Sequence, residues 1–330
     1  MAEITRKELV LALIAAGDRP RLQGLDLRGL DMRGLDLRGA NLHRVDLRGA
    51  DLSDASLVGA DISSARMEEV TLIGADLSQA HLSNATLVKA DLTRAILRGA
   101  KMCRADLSEA VLGEVDLLEA DLWRANLAAA LLGGAALWKA NLNEAILTGA
   151  DLSGTNLIGT DLSGADLSGA NLMGANLSGL RRAEMHGAVL GGANLRAANL
   201  IGANLQEAVL EKAILSRAIL QGADLRRANL MEANLSEAIL QGADLRRANL
   251  NYAALKGADL IEANLGEATL VRANLQEANL RGADLWMANL EEANLQGAIT
   301  TNKELGRASS LSGATLPNGT VYLASEGQVV

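Results

Sequence analysis

The chain is poor in the residues that many proteins use for chemistry and cross-linking. Its 330 residues include no Phe, one Cys, three His and two Pro. A single cysteine, Cys103, gives no disulfide framework and is typical of a reducing compartment. The histidines, His43, His81 and His186, have no Cys or second His at metal-ligand spacing. No stretch is long and apolar enough to span a membrane. We therefore expect a cytoplasmic protein without a metal or other cofactor.

Charge and motifs narrow the class of function further. The formal net charge is −9 and the pI is about 5.0, which argues against direct binding of nucleic acid. No glycine-rich phosphate loop leads into a helix. The abundant Asp and Glu mostly recur at fixed places in a repeat, so neighbouring carboxylates do not indicate acid/base catalysis. We expect a protein that is not an enzyme.

A five-residue repeat, Ala-Asp/Asn-Leu-X-X, occupies most of the chain. Its central Leu, Ile or Met falls at every fifth residue from Leu22 to Leu177, which gives 32 pentads, and again from Met185 to Leu295, which gives 23 more. This period matches neither a helix nor a plain strand, so it indicates a repeat architecture. The pattern predicts that Ala and Leu point inward and that the other three positions point outward.

Glycine is frequent at the fifth position of the pentad, as in Gly29, Gly34 and Gly49. A type II turn needs a positive φ at its second central residue, which glycine adopts without steric cost. Each pentad then forms one side of a square, and four pentads form one coil. The segment 218–230 recurs unchanged at 238–250, which is an offset of one such coil.

These pentads resemble the pentapeptide-repeat proteins. The resemblance implies an all-β solenoid, a right-handed quadrilateral β-helix with a short N-terminal capping helix. Members often carry Phe at the centre, whereas this chain uses Leu, which favours type II turns along the stack. Both ends resemble cyanobacterial members, in which Glu-Leu followed by an Ala-Ala-Gly stretch precedes the first coil and a Leu-Pro-Asn/Asp-Gly-Thr tail follows the last.

The ends of the chain carry signals for caps, which protect an open stack from edge pairing. Thr5 and Glu8 form a capping-box pattern before an apolar stretch that stops near Gly17, which predicts a helix and not a signal peptide. Residues 302–308 are expected to form a helical turn, after which Leu311 and Leu316 resume the repeat in a shifted phase. The predicted division is a capping helix (1–20), a first-phase β-helix (21–179), a phase break (180–182), a second-phase β-helix (183–300) and a C-terminal cap and tail (301–330).

The phase break arises because the centres Leu177 and Met185 are farther apart than one pentad. We place the three extra residues at Leu180, Arg181 and Arg182. They form either an outward bulge at a corner or a loop that contacts a partner, and the sequence leaves both interpretations open.

Three surface features depart from the polar background of the repeat. Apolar residues share outward positions on successive coils and form a candidate partner surface: Leu118, Trp123, Trp138, Ile158, Val111 and Leu131. Residues 105–180 carry ten acids against two cations, which defines a candidate acidic zone: Asp106, Glu109, Glu114, Asp116, Glu119, Asp121, Glu144, Asp151, Asp161 and Asp166. A small basic patch, explained either as an anion site or as a by-product of coil duplication, contains Arg226, Arg227, Arg246 and Arg247.

These features support a rigid, non-catalytic rod that serves as a protein-interaction or scaffold module. Its partner is either a protein that the sequence does not identify or a second copy bound through the apolar surface. The family resemblance implies an alternative. Some members mimic DNA, bind a type II topoisomerase such as DNA gyrase and protect it from quinolones. The acids here lie on all four predicted sides, which disfavours a DNA-like stripe. A third interpretation is a spacer with a largely neutral surface.

Overall fold

The computed structural model describes residues 4–17, 20–178 and 184–323. The chain divides into two compact units, Met1–Asp166 and Leu167–Val330. Within the described residues the helices are α1 (Arg6–Ala16) and α2 (Asn302–Leu305). The β structure consists of isolated bridges between pentads, which are parallel except for one near the C-terminus. The predicted phase break at Leu180, Arg181 and Arg182 lies outside the described residues.

In the first unit, each coil is built from four pentads. Parallel bridges join Asp26 to Asp46 and Asp46 to Arg66. The Asp46 N–H donates to the Leu25 carbonyl at 2.9 Å, and the Leu47 N–H donates to the Arg66 carbonyl at 2.7 Å. An interior coil is therefore hydrogen-bonded to the coils before and after it. A lone coil would lack these hydrogen bonds. The predicted coil length is confirmed.

The core consists of the Ala and Leu positions, as the pattern predicts. Leu27, Leu87 and Leu147 are fully buried, and so are Ala40 and Ala80. Burying such a Leu side chain stabilises the fold by roughly 1.5–3 kcal/mol.

Two threonines occupy the Ala position inside the first unit. The Thr155 hydroxyl donates to the Leu152 carbonyl and the Thr160 hydroxyl donates to the Leu137 carbonyl, both at 2.7 Å. Their burial therefore leaves no hydroxyl without a partner.

The Asp or Asn before a central residue has a local structural role that the repeat pattern alone does not predict. Its side-chain oxygen accepts the N–H of the residue two positions later, as from Ser53 to Asp51 at 3.0 Å and from Ala128 to Asn126 at 3.1 Å. This contact, typical of Asp and Asn in turns, stabilises the corner. The repeat thus selects a short side chain with an acceptor oxygen at this position.

The fifth position adopts a left-handed backbone whether or not it holds glycine. Gly49 has φ of 64°, as the type II turn predicts, but Arg44, Ala129 and Glu144 have φ of 55–56° as well. L-residues pay about 1–2 kcal/mol for this conformation. A coil of four pentads closes only if every corner turns in the same way. Because only closed coils stack with regular hydrogen bonds between them, these bonds offset the strain at each corner.

The second unit has the same construction with two changes of register. Asn171 pairs with Asn194, three positions beyond the partner that the regular coil would supply, whereas Glu184 pairs with Asn204 at the regular spacing. The three additional residues therefore lie between positions 176 and 184, in agreement with the phase slip. Near the C-terminus, Asn294 pairs with Thr315, one position beyond the regular spacing.

Both predicted helices are present. In α1, the Thr5 side chain accepts the Glu8 N–H and the Glu8 carboxylate accepts the Thr5 N–H, which completes the capping box. In the second unit, Thr301 and Glu304 form the same motif at the start of α2. After α2, Leu311 and Leu316 resume the repeat as predicted, and Thr315 also pairs with Val321 in an antiparallel bridge.

Candidate partner surface

A column of apolar side chains lies on one face of the first unit. Leu118, Trp138 and Ile158 occupy equivalent positions on successive coils and are half-buried. The Glu119 N–H donates to the Trp138 carbonyl at 3.0 Å, and the Lys139 N–H donates to the Ile158 carbonyl at 3.0 Å. The backbone ladder therefore fixes the spacing of the three side chains. The structure brings these predicted residues together on the outside of the coils.

The other three members of the partner surface lie on adjoining faces. Val111 and Leu131 are paired in a parallel bridge, and Leu131 is 50% exposed. Trp123 follows Cys103 in another outward column, since the Arg104 N–H donates to the Trp123 carbonyl at 2.9 Å. The six residues thus occupy three successive sides of neighbouring coils and do not form one flat patch.

Cations lie over both indoles of this surface. The Lys139 Nζ lies 3.7 Å from the centre of the Trp138 ring and 3.1 Å from Glu119 Oε1. A cation over the face of an indole is attracted by the ring quadrupole. The Trp138 ring is therefore held in place, and one of its faces is covered by an ion pair.

The Trp123 ring has two such neighbours. The guanidinium carbons of Arg104 and Arg124 lie 5.0 Å and 4.5 Å from the ring centre. Arg124 also forms an ion pair with Glu144 at 2.6 Å. The surface is consequently amphipathic, because charged groups lie directly beside its aromatic rings.

Several acids of the acidic zone are paired with cations of the preceding coil. The pairs are Glu109 with Lys89 at 3.6 Å, Glu114 with Arg94 at 3.4 Å, and Asp116 with Arg98 at 2.6 Å. These cations precede residue 105, so a count along the sequence leaves them out. The zone is therefore less negative than its own composition indicates, because its partners lie one coil earlier in the chain.

Other acids of the zone accept hydrogen bonds from uncharged side chains. The Asn126 amide donates to Asp106 and the Asn141 amide donates to Asp121, both at 2.9 Å. The Cys103 Sγ donates to the second oxygen of Asp121 at 3.1 Å. These contacts occupy carboxylate oxygens that a DNA mimic would present to its partner.

Cys103 is a half-buried thiol beside a carboxylate. Burial raises its pKa, as do the hydrogen bond and the negative charge of Asp121, to about 11. Because the thiolate is the reactive form, this environment disfavours reactivity at neutral pH.

The basic patch lies in the second unit, around a cavity of about 330 Å³. Each of its arginines has a carboxylate partner: Arg226 and Arg246 bind Asp224 and Asp244, Arg227 binds Glu207, and Arg247 binds Glu267. The hydrogen bond from the Arg226 guanidinium lowers the pKa of Asp224. The charge of the patch is thus compensated by its own neighbours, which weakens the interpretation as an anion site.

Over the residues that the structure describes, there is no group of three or more His, Cys, Asp or Glu side chains that is arranged to hold a metal ion. Within the same residues, neither helix has the length and apolarity needed to cross a membrane.

Comparison with known proteins identifies the family. The model for pentapeptide repeats matches overlapping segments that cover residues 21–179 and 193–297. The chain therefore belongs to the pentapeptide-repeat family, as the pentads predict. Membership implies a right-handed β-helical solenoid, in agreement with the coils described above. No curated protein sequence matches the chain.

Three solved structures illustrate the similarity. HetL, a pentapeptide repeat protein involved in heterocyst differentiation regulation from the cyanobacterium Nostoc sp. strain PCC 7120, is 31% identical, with 97% of this chain and 100% of HetL covered and a TM-score of 0.18. Rfr23 from the cyanobacterium Cyanothece 51142 is 27% identical, with 46% and 89% covered and a TM-score of 0.15. Full-length QnrB1, a plasmid-mediated fluoroquinolone resistance protein, is 17% identical, with 69% and 94% covered and a TM-score of 0.25. The family assignment rests on the matched repeats, since these TM-scores are low.

Proposed function

We propose that the protein is a non-catalytic interaction module that binds a protein partner through Leu118, Trp138 and Ile158. The observation that carries the proposal is the alignment of these side chains on a hydrogen-bonded ladder, with bonds of 3.0 Å between coils. A large aromatic side chain fixed on a rigid backbone loses little entropy on binding, which is typical of the anchor residues of interfaces. Trp123, Val111 and Leu131 are proposed to contribute at the edges.

The proposal predicts that Trp138→Ala weakens the complex and leaves the fold intact. A partner protein captured by the wild-type chain is titrated with the wild-type chain and with the variant, and the two Kd values are compared. Loss of an anchor costs about 2 kcal/mol or more, so Kd is expected to rise about 30-fold. Trp286→Ala is the matched control, because Trp286 is also an outward tryptophan, 51% exposed, but belongs to the second unit. An unchanged Kd for Trp138→Ala, or equal losses for both variants, rejects the surface.

Self-association through the same surface belongs to this proposal as a second form of binding. Sedimentation velocity of the wild-type chain and of Trp138→Ala measures it. A concentration-dependent dimer that disappears only in Trp138→Ala identifies a second copy as the partner. We retain a cytoplasmic location as part of the proposal, supported by the single cysteine.

The alternative proposal is a DNA mimic that binds gyrase. Support is limited to the acid content of residues 105–180, and the ion pairs of Glu109, Glu114 and Asp116 with the preceding coil count against it. A gyrase supercoiling assay, with and without a quinolone, tests it directly. Inhibition or drug protection by the wild-type chain that is lost on Glu109→Gln supports mimicry, and no effect of the wild-type chain rejects it.

We also propose that α1 caps the first coil, within the division of the chain into a cap, two phases of β-helix and a C-terminal segment given above. The Arg6 guanidinium donates to the Asp31 carbonyl at 2.7 Å and to the Arg33 carbonyl at 2.8 Å. Met32 and Gly34, in the same coil as Asp31 and Arg33, donate their backbone N–H groups to the corresponding carbonyls of Asp51 and Ser53 in the next coil. Arg6 thus replaces two donors of an absent coil.

The capping proposal predicts that Arg6→Ala exposes this edge. Hydrogen exchange of the amides of the first two coils is expected to become faster, whereas Lys7→Ala, one residue away, leaves it unchanged. Equal exchange in Arg6→Ala and in the wild-type chain contradicts the capping role.

A further inference from the structure

The first coil has an open backbone edge on the side that faces α1. In an interior coil, Ser56 donates its N–H to the Leu35 carbonyl at 2.9 Å and accepts from the Leu37 N–H at 2.7 Å. Asp36 holds the equivalent position one coil earlier, where it pairs with Ser56. Among the residues that the structure describes, neither its N–H nor its carbonyl has a backbone partner, so both groups are available to a further strand.

On the neighbouring side of the same coil, the backbone carbonyls already have a donor in α1. Arg6 satisfies the carbonyls of Asp31 and Arg33 and also contacts the Asp31 carboxylate at 2.8 Å. The Asp36 carboxylate is likewise occupied by Arg38. The unpaired groups at Asp36 are therefore its backbone N–H and carbonyl. Their natural partners are the backbone carbonyl and N–H of another extended chain.

An apolar cavity lies beside this edge, between α1 and the first coil. Its volume is about 510 Å³, and its lining includes Val10, Leu13, Ile14, Pro20 and Leu35 together with Asp36. The Ile14 side chain at its rim is 74% exposed. A large apolar side chain left exposed at the rim of a cavity is costly to hold in water.

We propose that this edge and cavity bind an extended peptide segment of a partner protein by strand addition. One peptide carbonyl accepts the Asp36 N–H, and the peptide N–H two residues later donates to the Asp36 carbonyl, as in a parallel ladder. The side chains of these two peptide residues point over the coil, as the Ala and Leu of each pentad do, and enter the cavity beside Leu13 and Ile14. This surface is separate from the Trp138 column, so the proposal does not depend on the function proposed above.

The peptide acetyl-Gly-Leu-Ser-Leu-Gly-amide is a suitable probe, and the same peptide with an N-methyl group on its second Leu is the matched control. The full chain, labelled with ¹⁵N, is titrated with each peptide, and the Asp36 amide shift is followed by NMR. We expect a saturable shift with the first peptide. Because the N-methyl group removes one ladder hydrogen bond and adds a clash, the control is expected to bind at least about 10-fold more weakly.

Two variants on α1 test the cavity. Ile14→Glu places a charge at the cavity rim and is expected to weaken probe binding at least about 10-fold. Leu11→Glu is the control, because Leu11 is also exposed, at 57%, but does not line the cavity. Circular dichroism checks that both variants keep the fold.

Four outcomes overturn the proposal: no shift of Asp36 at millimolar probe, equal binding of the N-methyl peptide, equal losses in the two α1 variants, or a concentration-dependent shift of Asp36 without any probe. The last outcome assigns the edge to a second copy of the chain.

Discussion

The left-handed corners allow the strain of a single backbone conformation to be measured. Ala129 has φ of 55° and sits at the fifth position of its pentad, whereas Ala128, its neighbour, is not among the residues with positive φ. Glycine is freer than alanine in the unfolded chain, which costs about 0.5–1 kcal/mol at either site. Only at Ala129 does glycine also remove a left-handed strain of about 1–2 kcal/mol.

We therefore expect Ala129→Gly to stabilise the protein by about 0.5–1 kcal/mol and Ala128→Gly to destabilise it by a similar amount. The difference between the two variants, about 1–2 kcal/mol, is the left-handed penalty, because the unfolded-state contributions cancel. The backbone bonds at both sites remain available: the Ala129 N–H donates to Thr148 and the Ala128 carbonyl accepts from Glu109.

Urea unfolding of the parent and the two variants, followed by circular dichroism and analysed with a common m value, measures the difference. If Ala129→Gly lowers stability as much as Ala128→Gly, the corner is not strained and the reasoning fails.

Two further predictions concern the core and the surface charges. Leu147→Asp, at a fully buried position, is expected to cost about 4 kcal/mol or more, because it leaves an unpaired carboxylate in an apolar core. Thr148 points outward, so the control Thr148→Asp should keep the parent's thermal midpoint. A normal midpoint for Leu147→Asp would contradict the assignment of the core. The hydrogen bond from Arg38 lowers the pKa of Asp36 to about 2, so its stabilising effect is present above about pH 4 and disappears as the pH falls through 2. Arg38→Gln should return this pKa toward about 3.9 in a ¹³C NMR titration, and an unchanged value would show that the ion pair is not its cause.

The local structure of the chain was predictable because the repeat states it many times. The inward Ala and Leu, the corner glycines and the capping box at Thr5 each depend on a few adjacent residues. The coil length was also accessible, since the duplicated segments 218–230 and 238–250 lie one coil apart. The type II turn predicts a positive φ at the fifth position, but the residue types of Arg44 and Glu144 do not indicate that they adopt it as glycine does.

The chemistry of the surface was less predictable from the sequence. The column of Leu118, Trp138 and Ile158 followed from the coil length. The sequence did not indicate that Lys139 lies over the Trp138 ring, 3.7 Å from its centre. Long side chains choose among several rotamers, and their choice depends on neighbours in the adjacent coils.

The sequence by itself determined the family, the five-residue period, the inward and outward sides of each pentad and the two helices, because each follows from backbone geometry that repeats along the chain. Only the tertiary structure decided how charges combine. Arg98 meets Asp116 and Lys89 meets Glu109 across neighbouring coils, so an acidic stretch in the sequence became a partly paired surface. Only the folded chain could also show that Arg6 pairs with two carbonyls on one side of the first coil, whereas the backbone of Asp36 on the next side has no backbone partner among the described residues. Both depend on where α1 lies on the coil.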